Sequence, residues 1–316
     1  MARYEGRFLM MNIRNVLIGF IVSAIVVGIA VSCGGGGGGS SGGAPATVIR
    51  SASLDGTQAG TGATGTGRGA VVVNPTTMAI TGGITFTGLT GNATGAHIHR
   101  ANGNVAYGLQ LAPDSVSGVN ATGVLLNNIT LSAADYAELL AGTLYFNVHT
   151  AMFPLGEIRG QINIQGGVVA GTTPLDNLQE VPASTSPATG HGTVVADAAT
   201  GAVLIAYIAH TVANANAAHI HTSPSGPGST GGVILGFPNL QTNVDGAGTN
   251  LAYPPVTSPP AAPTALSSTN MANFLANYLY FNVHSNVNNF CAPAANCAAG
   301  EIRGNITALQ SSGSGY

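Results

Sequence analysis

Residues 95–99 read Gly95-Ala96-His97-Ile98-His99, and the chain repeats them at 217–221 as Ala217-Ala218-His219-Ile220-His221. Polar–apolar alternation of this kind suits a half-buried strand. His97 and His99 then share one face, about 7 Å apart along the strand, while Ile98 points into a core. Each copy is followed by a second strand-like run that ends in histidine, Leu144-Tyr145-Phe146-Asn147-Val148-His149 and Leu279-Tyr280-Phe281-Asn282-Val283-His284. Each run leads to Gly-Glu-Ile-Arg-Gly, at 156–160 and at 300–304. Six of the eight histidines therefore fall into two equivalent sets of three.

The repeat extends beyond these motifs. Leu54-Asp55-x-x-Gln58 matches Leu175-Asp176-x-x-Gln179, and Gly67-Arg68-Gly69 matches Gly190-His191-Gly192. Each copy exceeds 100 residues, which makes it a domain rather than a solenoid unit. Short runs at 69–73, 79–89, 95–99, 105–111, 119–129, 142–149 and 157–164, bounded by Gly, Asn, Pro and Thr, read as strands. One helix is expected per copy, capped by Ser132 in the first and starting at Ser267–Asn270 in the second. The fold class is all-β: two tandem Greek-key β-sandwich domains with one short helix each, after a signal segment and a Gly-rich linker. The expected boundaries are 1–33 for the signal segment, 34–47 for the linker and 48–165 for the first sandwich. A short link at 166–173 follows, then the second sandwich at 174–309 and a disordered tail at 310–316. The Gly-rich link permits packed or separate domains.

Composition narrows the function classes. Only 6% of the 316 residues are charged and the net charge is −3, so neither nucleic acid nor an anionic lipid surface finds a basic footprint. Residues 16–31 are almost wholly apolar, follow Arg14, and end in Ala30-Val31-Ser32-Cys33. This reads as an export signal. Ala30–Cys33 resembles a bacterial lipoprotein processing box, which would make Cys33 the lipidated residue; an ordinary cleavage site is the other reading. The Gly/Ser run at 34–43 then forms a flexible tether. Two further cysteines, Cys291 and Cys297, lie in the connection after His284, which is nine residues longer than its counterpart after His149. An oxidising compartment would join them as a disulfide. The proline-rich 251–263 stretch reads as an extended surface loop.

His97, His99 and His149, and likewise His219, His221 and His284, can converge on one ion from two neighbouring strands. Neutral imidazole suits copper or zinc, and three histidines leave a coordination position open. Glu157 and Glu301 are the recurring carboxylates nearby, as a fourth ligand or in an ion pair with Arg159 and Arg303. The competing reading keeps the histidines for hydrogen bonding, with Asn147 and Asn282 as partners. His191 and His210 do not recur and are expected at the surface or a pocket edge. No nucleophile elbow, phosphate loop, zinc-protease motif or haem-attachment motif is present.

Ala-His-Ile-His, Leu-Tyr-Phe-Asn-Val-His and Gly-Glu-Ile-Arg-Gly together resemble the chordin-type, or CHRD, domain over residues 48–309. The second copy also carries the family's opening, Leu175-Asp-Asn-Leu-Gln-Glu-Val-Pro182; the first departs there, with Ala59-Gly60. The resemblance implies an extracellular β-sandwich module without an assigned activity. The order of His97, His99 and His149 is also similar to the copper ligands of copper–zinc superoxide dismutases. A bridging histidine and a zinc-ligand loop are absent, which argues for at most one ion per domain. The reading is a non-enzymatic binding or structural module, lipid-anchored to a bacterial membrane or cell surface, or secreted. Its expected partners are the membrane, through Cys33, and an extracellular ligand. A copper-dependent redox enzyme and an adhesion or matrix-assembly protein are the alternatives.

Overall fold

The structure, a computed structural model, describes residues 46–113, 120–126, 129–163, 166–255, 264–286 and 300–310. Residues 43–316 form one compact unit. Cys33, Cys291, Cys297, the signal segment and the tether lie outside the described residues. Among the described residues no helix is long and apolar enough to cross a membrane.

The first repeat runs β1 (Val48–Asp55), α1 (Gly56–Ala59), β2 (Thr66–Val73), β3 (Ile80–Thr87), β4 (Ala93–His99), β5 (Val105–Gly108), β6 (Gln110–Pro113), β7 (Ala121–Val124), α2 (Ala133–Leu140), β8 (Tyr145–Thr150) and β9 (Ile158–Gln161). The second runs β10 (Val168–Leu175), β11 (Gly190–Asp197), β12 (Val203–His210), β13 (Ala215–Thr222), β14 (Val233–Gly236), β15 (Asn239–Gln241), β16 (Asn250–Tyr253), α3 (Ser268–Leu275), β17 (Leu279–Ser285), β18 (Ile302–Ile306) and β19 (Leu309–Gln310).

Each repeat is a two-layer sandwich. A four-stranded layer, β5-β4-β8-β9 or β14-β13-β17-β18, faces a larger one, β1-β2-β3-β7-β6 or β15-β16-β12-β11-β10-β19. In the first repeat the layers join edge to edge through one pair, Asp55 with Arg159, so they count as a single nine-stranded sheet. The equivalent pair, Asp176 with Arg303, is an isolated bridge in the second. The expected single strand at 105–111 breaks at Leu109, whose N–H bonds to the Ala96 carbonyl. The chain thereby passes from one layer to the other. Ser132 caps α2 as expected, and Ser267 caps α3, through side-chain bonds to the N–H groups of Asp135 and Asn270. The extra turn α1 departs from one helix per copy; Asp55 caps it by accepting from the Gln58 N–H at 2.7 Å.

Strand alternation places two sets of apolar residues. Val71 and Val73 on β2 face the first sandwich core with Ile98, Phe146 and Ile158. Val194 and Ala196 on β11 face the second core with Ile220, Phe281 and Ile302. The intervening Ala70, Val72 and Val195 join Ile49, Ile205, Tyr207, Leu251 and Tyr253 in a third cluster that belongs to both repeats. The two larger sheets therefore pack back to back, and the molecule has four sheet layers. Tyr207 Oη, fully buried, donates to the Leu125 carbonyl at 2.9 Å and accepts from the Gly82 N–H at 3.3 Å across this interface. His191 lies here too, at 3.1 Å from Thr172 Oγ1, which is itself 3.4 Å from Thr81 of the first repeat. It is an interface residue rather than a surface one. Leu251, Ala252 and Tyr253, expected in a surface loop, are buried in β16 because the interface and the second core cover them.

Candidate metal centres

On β4, Ala96 and Ile98 are in the core, so His97 and His99 lie on the outer face of the four-stranded layer. On β8, Phe146 and Val148 are in the core, and Tyr145, Asn147 and His149 share that outer face. The strands are antiparallel, with His97 opposite Asn147 and His99 opposite Tyr145, which sets His149 diagonally beside His97. The second repeat has the same register, His219 opposite Asn282 and His221 opposite Tyr280.

The three imidazoles of each set come together. Ring centroids are 4.9–5.6 Å apart in the first set and 5.1–5.9 Å in the second. One ring nitrogen from each histidine lies within 4.8 Å of the other two. Metal–nitrogen bonds of about 2.0–2.1 Å require nitrogens roughly 3.3–3.5 Å apart in a tetrahedral site, so closure on an ion takes a movement of about 1 Å or less per atom.

Hydrogen bonding selects which nitrogens are available. A carbonyl can only accept, so His99 Nδ1 carries its proton and donates to the Gly103 carbonyl at 2.9 Å. His149 Nδ1 donates to the Pro154 carbonyl at 3.0 Å, and His221 Nδ1 to the Gly231 carbonyl at 3.1 Å. The Nε2 atoms of these rings are left with lone pairs. The buried ring nitrogens without a hydrogen-bond partner are Nδ1 of His97, Nε2 of His99 and Nε2 of His149 in the first set. In the second they are Nδ1 of His219, Nε2 of His221 and Nε2 of His284. The same atom is orphaned at each equivalent position. Backbone carbonyls that fix tautomer and ring orientation are the usual support of a metal-binding histidine.

Burial favours the neutral form of five of the six rings. Burial, reinforced by the neighbouring His149 and His99, holds His97 below the ordinary histidine range. Burial lowers His149 and His219 likewise. It lowers His221 against the opposing Gly231 bond, and it pulls His284 down to about 4. Neutral imidazole is the ligating form.

The expected roles of the neighbouring polar residues change. Asn147 does not bond the histidines; its Nδ2 donates to the Leu155 carbonyl at 3.0 Å, pinning the loop whose Pro154 orients His149. Glu157 is neither a ligand nor an ion-pair partner. It accepts from the Thr90 N–H at 2.7 Å, Thr90 Oγ1 at 2.9 Å and Thr150 Oγ1 at 2.8 Å. Glu301 accepts from Ser186 at 2.6 Å and from Ser285. Both carboxylates tie the end of the histidine strand to the sandwich. His210 is 2% exposed and lowered to about 4 by burial. It accepts the Val212 N–H at its Nδ1 and belongs to neither set.

Sequence reasoning passed over the tyrosines. Tyr145 stacks on His99, at 5.1 Å and 12° between planes, and Tyr280 on His221 at 5.0 Å and 9°. Arg159 lies 3.4 Å over the Tyr145 ring and Arg303 3.5 Å over Tyr280. The signal was in the register: a tyrosine opposite the second histidine, and an arginine one strand further on.

A family model described as the CHRD domain matches the chain twice, over residues 50–162 and 171–306. No curated protein and no solved structure matches.

Proposed function

The chain belongs to the CHRD-domain family, with two copies in tandem, and on that premise we propose that each copy binds one transition-metal ion, copper or zinc, through its three histidines. The observation that carries this reading is the set of orphaned nitrogens, the same atom at each equivalent position of both repeats. A buried nitrogen lone pair without a partner costs free energy, and three converging ones share a cation as their natural partner. The hydrogen bonds that His99, His149 and His221 make use the other ring nitrogen, so they leave these lone pairs unanswered.

Three histidines and an open position make the chain a binding or sequestering module. The sites face outward on opposite sides of a four-layer molecule. Three sheet spacings of about 10 Å put roughly 30 Å between them, so each ion is mononuclear. Export and anchoring through a lipid on Cys33 are part of the same proposal. They are supported by the apolar 16–31 run, the Ala30–Cys33 box and the Gly/Ser run that follows, and an extracellular ligand is the expected partner.

Equilibrium dialysis of the metal-free chain lacking residues 1–33 against Cu(II) and Zn(II) tests the reading. Two ions per chain are expected, one after His97→Ala, and none after His97→Ala with His219→Ala. Stoichiometry unaffected by these substitutions contradicts it.

A further inference from the structure

The carbonyls that orient His99 and His221 come from the connections that follow these histidines, and different residues hold the two connections in place. Each connection closes an equivalent bulged pair, His99 with Val105 and His221 with Val233. In the first repeat it is the tight turn Arg100–Asn104. The Arg100 N–H donates to the Asn104 carbonyl, and the Gly103 N–H to the Arg100 carbonyl, both at 2.9 Å. This turn presents the Gly103 carbonyl to His99 Nδ1. The Arg100 side chain ties the turn to α2: Nε and Nη2 donate to the two carboxylate oxygens of Asp135 at 2.6 and 2.9 Å. Tyr107 Oη donates to the same carboxylate at 2.8 Å, and the Ala101 N–H to Glu138 Oε2 at 3.3 Å.

Asp135 is 1% exposed. Burying a carboxylate carries a cost that its partners must offset, and capping α2 does not require the charge. The cap rests on Ser132 Oγ and the Asp135 N–H, although that hydroxyl also donates to the carboxylate at 2.7 Å. Helix α3 makes the equivalent cap at Asn270 with no carboxylate. All three members of the network change together in the second repeat, where Thr222 stands for Arg100, Leu235 for Tyr107 and Asn270 for Asp135. There the longer 223–232 connection presents the Gly231 carbonyl, and Arg303 Nη2 holds that connection by donating to the Ser229 carbonyl at 2.9 Å. The orienting carbonyl is thus secured from α2 in one repeat and from β18 in the other.

We propose that Asp135 is a positioning residue of the first metal centre: through Arg100 it holds the Gly103 carbonyl against His99, and so sets the affinity of the first histidine set independently of the second. This rests on the metal reading above. With the carbonyl fixed, His99 Nε2 is aimed before an ion arrives, and binding does not have to order the ring.

Copper titration of the His219→Ala chain, which keeps the first set alone, provides the test. Arg100→Gln and Asp135→Asn should each weaken Cu(II) about 10-fold, the low end for groups behind a metal ligand, and both together no more than either alone. Arg100→Lys should recover part of the affinity. In the metal-free chain, ring-nitrogen NMR shifts should show His99 protonated at Nδ1, and a mixture of tautomers in Arg100→Gln. Leu139→Ala truncates a fully buried residue of the same helix; it should lower stability to urea and leave copper affinity unchanged. In the His97→Ala chain, which keeps the second set, Asp135→Asn should not alter copper affinity. Arg100 is partly exposed, so Arg100→Gln decides the matter if Asp135→Asn does not fold. Copper affinity or His99 tautomer unchanged in Arg100→Gln, an equal loss in Leu139→Ala, or an equal loss at the second set overturns the proposal and leaves the metal reading standing. No copper uptake by either the His219→Ala or the His97→Ala chain overturns the metal reading and this proposal with it.

Discussion

Glu180 shows how a single side chain sets the chemistry of its surroundings. Burial raises its carboxyl to about 8, against the lowering influence of Arg303, the Val181 N–H and Asn282. The folded value exceeds the unfolded one, so its contribution to stability is fully present below about pH 4.5 and is lost as pH rises toward 8, where the folded state carries a buried carboxylate. His210 acts in the opposite direction. Its folded value of about 4 lies below the unfolded 6.5, so its contribution is present above pH 6.5 and lost as pH falls toward 4. Glu180→Gln should therefore flatten the decline of stability between pH 5 and 8, measured by urea unfolding of the metal-free chain. A decline as steep as in the parent chain would contradict this. None of this was legible from residue types. Glu180 stood out only as part of a family-like opening, and His210 as a histidine without a counterpart, because burial depends on which strands close over a residue.

At the scale of elements, the histidine strands are held by the loop that follows them. Gly156 and Gly300 have φ of +116° and +118°, a left-handed region that favours glycine. A Cβ at either position would run into the side chain of Asn147 or Asn282. The asparagine of Asn-Val-His and the glycine of Gly-Glu-Ile-Arg-Gly thus interlock, and the loop between them presents the Pro154 carbonyl to His149. Gly156→Ala should cost about 1–3 kcal/mol of stability from backbone strain alone, and more from the clash. It should also weaken metal binding at the first site while sparing the second, as read by unfolding and by stoichiometry. Metal affinity equal at both sites would separate the loop from the histidine. The strands carrying the histidines were legible because alternation put Ile98, Phe146 and Val148 on one face and His97, His99 and His149 on the other. The break at Leu109 was not legible, because a strand that changes sheets stays apolar throughout. The first strand, Val48–Asp55, was not among the expected runs either. Arg50 and Ser53 interrupt its apolar pattern, and its pairing with β2 is what makes it a strand.

In the whole molecule, the pattern that looked like ordinary core explains the assembly. Ala70–Val73 and 205–209 are continuous apolar runs because both of their faces are buried, one in a sandwich and one between the repeats. Composition left open whether the domains pack; the third cluster and Tyr207 bind them back to back. The only faces then left to the four-stranded layers are the outer ones, which carry the histidine sets. The two repeats thus form one body with two outward-facing histidine sets, roughly 30 Å apart. The most direct test is a crystal of the metal-loaded chain with an anomalous difference map at the copper or zinc edge. Two peaks per chain are predicted, each about 2.0–2.1 Å from one nitrogen of all three histidines in its set: Nδ1 of His97 with Nε2 of His99 and His149, and Nδ1 of His219 with Nε2 of His221 and His284. Peaks elsewhere, or a fully loaded crystal with neither set occupied, would contradict the account.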